Sequence, residues 1–149
     1  MKIFLIEDDE YKIDLVSNFL NESLDNVVIK EAHSVKGANL LLSNNDDVDL
    51  VLLDMTLPTF DMTNGRSGGR PQGFGGIEIL RYMEMIDFEN PVIIITQFQT
   101  FDTNEGSRDI SYLKGILEKE RFDNFIGIVQ FSPSTESWKI ELKTLLEGL

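Results

Sequence analysis

Cysteine is absent from this chain, and histidine occurs once, at His33. The first absence excludes disulfides, thiol nucleophiles and cysteine-held metals. The second excludes a histidine-based metal cluster. His33 has no sequence-adjacent partner, which suits an ordinary surface residue. Cations are scarce: 13 Lys and Arg face 26 Asp and Glu, for a formal net charge of −13. A chain this acidic is repelled by phosphate backbones and anionic lipid, which argues against direct nucleic-acid or membrane binding. Long apolar runs are missing too. No stretch approaches the ~18 apolar residues that span a bilayer. The apolar start, Ile3-Phe4-Leu5-Ile6, meets acids too soon for a signal peptide. Together these absences predict a cytoplasmic protein in a reducing compartment.

What is present is a regular alternation. Apolar, strand-like runs are predicted at residues 2–7, 27–32, 48–53, 91–96 and 125–131. Helical spacing separates them. Ile13, Val16, Phe19, Leu20 and Leu24 mark a first helix over about residues 10–24. Ser34 suits the N-cap of a second, with Ala38, Leu41 and Leu42 on its inner face. Ile77, Leu80 and Met83 mark a third, and Ile110, Leu113, Ile116 and Leu117 a fourth. Trp138, Leu142, Leu145 and Leu149 mark a fifth, with Pro133 and Ser134 suited to its first turn. Two stretches, 59–76 and 98–107, read as loops. The first is long and glycine-rich, and it carries Arg66 and Arg70.

Strands alternating with helices predict a parallel sheet with helices on both faces. Right-handed crossovers leave a doubly wound α/β fold, (βα)5, with the flavodoxin-like strand order 2-1-3-4-5. The 149 residues suit a single domain, 1–149.

In such a sheet, ligands bind at the carboxyl ends of the strands. The stretch Val51-Leu52-Leu53-Asp54 ends an apolar run on one carboxylate, and Pro58 follows four residues on. The first and third strands are neighbours in the predicted order, so Glu7 and Asp8 converge on Asp54. The fourth strand lies beside the third, which adds Thr96. Like charges this close need a cation or a shared proton. Carboxylate oxygens suit Mg²⁺. Beside Mg²⁺, a strand-end aspartate can attack phosphorus and become an aspartyl phosphate. The Thr96 hydroxyl could then hydrogen-bond a phosphoryl oxygen.

These residues resemble a response-regulator receiver (CheY-like) domain, the phosphoacceptor module of two-component signalling. Ile6-Glu7-Asp8-Asp9-Glu10 resembles the family's acidic end of the first strand. Leu52-Leu53-Asp54-Met55-Thr56-Leu57-Pro58 resembles its phosphoacceptor motif. Gly76-Ile77-Glu78-Ile79-Leu80 and Ile93-Ile94-Ile95-Thr96 resemble the start of the third helix and the end of the fourth strand. The resemblance covers nearly the whole chain apart from the two loops. It implies Asp54 as phosphoacceptor and Thr96 as switch hydroxyl. It implies Mg²⁺ held by Glu7, Asp8, Asp54 and the Thr56 carbonyl, with Met55 and Gln97 flanking the site. It also implies a histidine kinase or phosphotransfer protein as phosphodonor. A downstream protein would bind the face of the fourth helix, fifth strand and fifth helix, and a homodimer is left open.

Three features depart from the family. Its fifth strand ends in Lys-Pro, and here Ser132-Pro133 stands in that place, with no other lysine expected near Asp54. Val129 falls where the family has a switch aromatic. The loop at 59–76 is far longer than usual. Candidate phosphate-binding groups are therefore Thr96, Ser132, Arg66 and Arg70, the arginines replacing the lysine if their loop folds over Asp54. Three function classes stay open: a phosphoacceptor switch, a phosphorylation-independent pseudo-receiver acting as an interaction module, and a haloacid-dehalogenase-like phosphatase. The phosphatase needs a second acid two residues after Asp54, where Thr56 stands, so no enzyme beyond self-phosphorylation is expected.

Overall fold

The computed structural model describes residues 1–44, 47–61, 74–97, 100–103 and 106–149. The chain runs β1 (Lys2–Ile6), α1 (Glu10–Ser23), β2 (Val28–Ala32), α2 (Val35–Ser43) and β3 (Leu50–Leu53). It continues through α3 (Gly75–Met85), β4 (Val92–Thr96), β5 (Thr100–Thr103), β6 (Gly106–Asp109), α4 (Ile110–Glu120), β7 (Phe125–Gln130) and α5 (Ser137–Glu147). Five strands form one parallel sheet in the order β2-β1-β3-β4-β7. Counting only this sheet, the order is the expected 2-1-3-4-5.

Strand parity divides the core in two. Ile3, Leu5, Leu50, Leu52, Ile93 and Ile95 face α1 and α5. Phe4, Ile6, Val51, Leu53 and Ile94 face α2, α3 and α4. Successive strand residues point to opposite faces, and burial on both explains the near-continuous apolar runs. The register pairs Ile6 with Leu53 and Leu53 with Ile94. The carboxyl ends of β1, β3 and β4 are therefore level with one another.

Local chemistry sets the helix starts. Asp9 caps α1, its carboxylate accepting from the Tyr11 and Lys12 amides. Ser34 caps α2 by accepting from the Gly37 amide at 2.9 Å, as its position in the sequence predicts. The Ser34 hydroxyl also meets Asp61 at 2.5 Å. The backbone oxygens of Pro58 and Thr59 accept from Val35 and Lys36. The start of the long loop is thereby tied to α2.

Two expectations change. The stretch 98–107, read as a loop, contains most of an antiparallel ribbon in which Thr100 pairs with Asp109 and Thr103 with Gly106. Backbone pairing needs no apolar side chains, so a polar ribbon leaves little pattern in the sequence. The last helix starts at Ser137 rather than at Pro133. Residues 132–135 form a turn closed by the Thr135 amide on the Ser132 carbonyl. Ser first and Pro second suit a β-turn as well as they suit a helix start.

Candidate functional site

Asp54 leaves β3 two residues after Leu52, so its side chain keeps Leu52's direction, toward α1 and α5. Glu7 stands in the same relation to Leu5. Parity thus aims both carboxylates at α1. Both are buried, Glu7 at 2% exposure and Asp54 at 5%. Asp8 is exposed beside them. One carboxylate oxygen from each of the three lies within 4.8 Å of the other two.

Between the two buried acids sits Lys12, itself only 2% exposed. Its ammonium lies 3.0 Å from Asp54 Oδ1 and pairs with Glu7 Oε2. It also donates to the Ile95 carbonyl at 2.8 Å. The Phe131 ring covers it, with the centroid 5.5 Å away. This corrects the expectation that no lysine lies near Asp54: the cation arrives from α1. Lys12, Val16 and Leu20 recur every four residues on the buried stripe of the helix. That spacing was visible in the sequence, as was the parity of the two acids.

The electrostatics follow from burial. Burial and then the Asp54 charge push the Glu7 carboxyl up to about 8, and Lys12 offsets them only in part. Burial also raises Asp54 above the usual carboxylate range, again with Lys12 opposing. Burial works against the Lys12 charge, but Asp54 and Glu7 outweigh it and hold its pKa above 10.5. The remaining Glu7 oxygen, Oε1, accepts from the Asp8 and Asp9 amides at 3.0 and 3.1 Å. Glu7 therefore also shapes the turn into α1.

Thr96 ends β4 one residue past Ile95. Its hydroxyl is fully buried and has no hydrogen-bond partner among the described residues. Thr56 lies half-buried in the chain leaving Asp54. Ser132, offered as a substitute for the lysine, turns its hydroxyl to Ser134 Oγ at 3.1 Å. Arg66 and Arg70 fall outside the described residues. Met55 is fully buried in the α2–α3–α4 core, so of the two flanking positions only Gln97 is even partly exposed. Val129 is buried opposite Ile95.

The backbone of Asp54 is held from behind by α3. The Gly76 amide donates to the Met55 carbonyl at 3.0 Å. A Cβ at Gly76 would lie 2.6 Å from the Asp54 carbonyl oxygen and 2.1 Å from Met55 Cε. Only glycine permits this approach.

Chemically, the arrangement is a buried carboxylate touched by one fixed cation and bordered by two further acids, with an unpaired hydroxyl at the end of the neighbouring strand. The oxygen donors of Glu7, Asp8 and Asp54 fit a hard divalent cation such as Mg²⁺, and Asp8 lies open to solvent at their edge.

No family model matches the chain. The sporulation initiation phosphotransferase F of Bacillus subtilis (strain 168) is 32% identical over 110 residues, covering 73% of this chain and 75% of that protein. The Detocs response regulatory protein DtcB of Enterobacter cloacae (strain JD6301) is 26% identical over 143 residues, 95% of each. Among solved structures, the chain resembles the N-terminal domain of a response regulator/sensory box/GGDEF 3-domain protein from Carboxydothermus hydrogenoformans. That match has a TM-score of 0.61 and 22% identity, over 99% of this chain and 92% of the other.

Proposed function

Because the chain belongs to the receiver-domain family of response regulators and so to two-component signalling, we propose that it is a switch whose phosphoacceptor is Asp54. The observation that carries this reading is the convergence of Glu7, Asp8 and Asp54 oxygens within 4.8 Å at the carboxyl edge of the sheet. Glu7, Asp8 and Asp54 would hold Mg²⁺, with the Thr56 carbonyl as a further ligand. When bound, Mg²⁺ neutralises charge on the transferring phosphoryl group. The unpaired Thr96 hydroxyl supplies a donor for a phosphoryl oxygen.

The Bacillus relative is named a phosphotransferase, which supports a histidine kinase or phosphotransfer protein as donor. Output would pass through the face of α4, β7 and α5. A groove of about 800 Å³ lies there, with Ile110, Leu117, Phe125 and Ile128 in its lining and Lys114 and Glu141 beside them. No helix among the described residues is long and apolar enough to cross a membrane, and a cytoplasmic location belongs to the same proposal.

The test is labelling with acetyl phosphate and Mg²⁺, read by intact mass, with beryllofluoride binding in parallel. The wild type gains one phosphoryl group and Asp54→Asn gains none. Equal labelling of both proteins would remove Asp54 from the reaction. A second reading, a phosphorylation-independent interaction module, is favoured by Val129, a buried aliphatic where the family has a switch ring. That module would ignore both reagents.

A further inference from the structure

We infer that Lys12 is the cation that binds the phosphoryl group on Asp54, delivered by α1 rather than by the loop after β7. This rests on the phosphoacceptor reading above.

Phosphorylation would replace one negative charge on Asp54 with about two, in a site that already holds Glu7 and Asp8. A fixed positive charge at the reacting carboxylate is then the largest available stabilisation. Lys12 Nζ is 3.0 Å from Asp54 Oδ1, and among the described residues no other cation forms an ion pair with Asp54. It pairs with Glu7 and donates to Asp54 and the Ile95 carbonyl, and these contacts hold the ammonium in place. The bond to Ile95 sets the ammonium at the carboxyl end of β4, one residue before Thr96. Ser132 has no charge, and its hydroxyl is engaged with Ser134.

Stability alone is a poor reason for this lysine. Burying a cation costs several kcal/mol, and apolar replacement of buried ion pairs is often neutral or stabilising. In the transfer, an Asp54 oxygen forms a bond to phosphorus. The bond from phosphorus to acetate breaks, and its electron pair leaves with acetate. Lys12 stays protonated throughout and exchanges no proton.

The test compares wild type with Lys12→Met. Mg²⁺ affinity is measured by NMR titration, and acetyl-phosphate labelling by intact mass. Near-ultraviolet circular dichroism of the buried Trp138 checks the fold, and Lys12→Gln is used if the methionine variant does not fold. The inference expects Mg²⁺ affinity equal to or tighter than wild type, with labelling slowed about ten-fold or more. Labelling at the wild-type rate would overturn it. So would a slowing that merely tracks weaker Mg²⁺ binding, because Lys12 would then only organise the acids. If the wild type itself fails to label, the phosphoacceptor reading falls, and this inference with it.

Discussion

Glu7, Asp54 and Lys12 carry a net charge of −1 when all are ionised, and burial of that excess is what holds the Glu7 carboxyl near 8. The consequence for stability has a definite sign. Between its ordinary value of 4.5 and about 8, Glu7 binds more proton in the folded chain than in the unfolded one. Stability therefore falls as pH rises through that window. The raised Asp54 adds a contribution of the same sign above its own ordinary value. In Mg²⁺-free buffer, Tm is expected to drop between pH 5 and pH 8. Glu7→Gln, which cannot ionise, should flatten that slope, and thermal melts across pH check it. An unchanged slope in the variant would mean that Glu7 does not carry the extra proton. The Lys12→Met comparison belongs to this same scale, since it removes one charge and leaves the acids in place.

At the scale of elements, the sequence was most readable where one periodicity sufficed. The five sheet strands, the order of the sheet and the convergence of Glu7, Asp8 and Asp54 all followed from apolar runs ending in polar residues. The Ser34 cap was legible because a hydroxyl three residues before an orphan amide has one obvious use. Its loss is expected to cost about 1 kcal/mol, with a further effect from releasing Asp61. Urea unfolding of Ser34→Ala measures this, and a midpoint equal to wild type would show the cap to be idle. Lys12 was missed because finding it needs two periodicities at once. The phase of α1 must be joined to the parity of β1 and β3. The β5–β6 ribbon was missed because its pairing is carried by the backbone. The start of α5 was misplaced because Ser132-Pro133 serves a turn and a helix start equally.

Over the whole molecule, the two faces of the sheet divide the labour. The α1–α5 face carries the charged centre, and Trp138 packs there against Phe19 and Phe131, with ring centroids 5.4 and 4.9 Å away. The other face is apolar and anchors the chain on both sides of the long loop, through α2 and Gly76. A net charge of −13 makes compaction work against self-repulsion. Raising salt from a few millimolar to about 0.1 M shortens the screening length to about 10 Å. Tm should therefore rise over that range in sodium chloride, as differential scanning calorimetry can show. A flat response would mean that the surface acids are too dispersed to repel.

Because the cation comes from α1, every charged or hydroxyl group assigned to the chemistry is encoded before residue 97. Beyond that point the Phe131 ring covers the Lys12 ammonium, its centroid 5.5 Å away. During synthesis on a ribosome, the reacting groups would emerge ahead of the face proposed for output. In the proposed reading, the segment from α4 to α5 lends that ring to the centre and otherwise forms the output face. It is therefore the part that recombination with another receiver could exchange, changing what the switch speaks to while leaving how it is set.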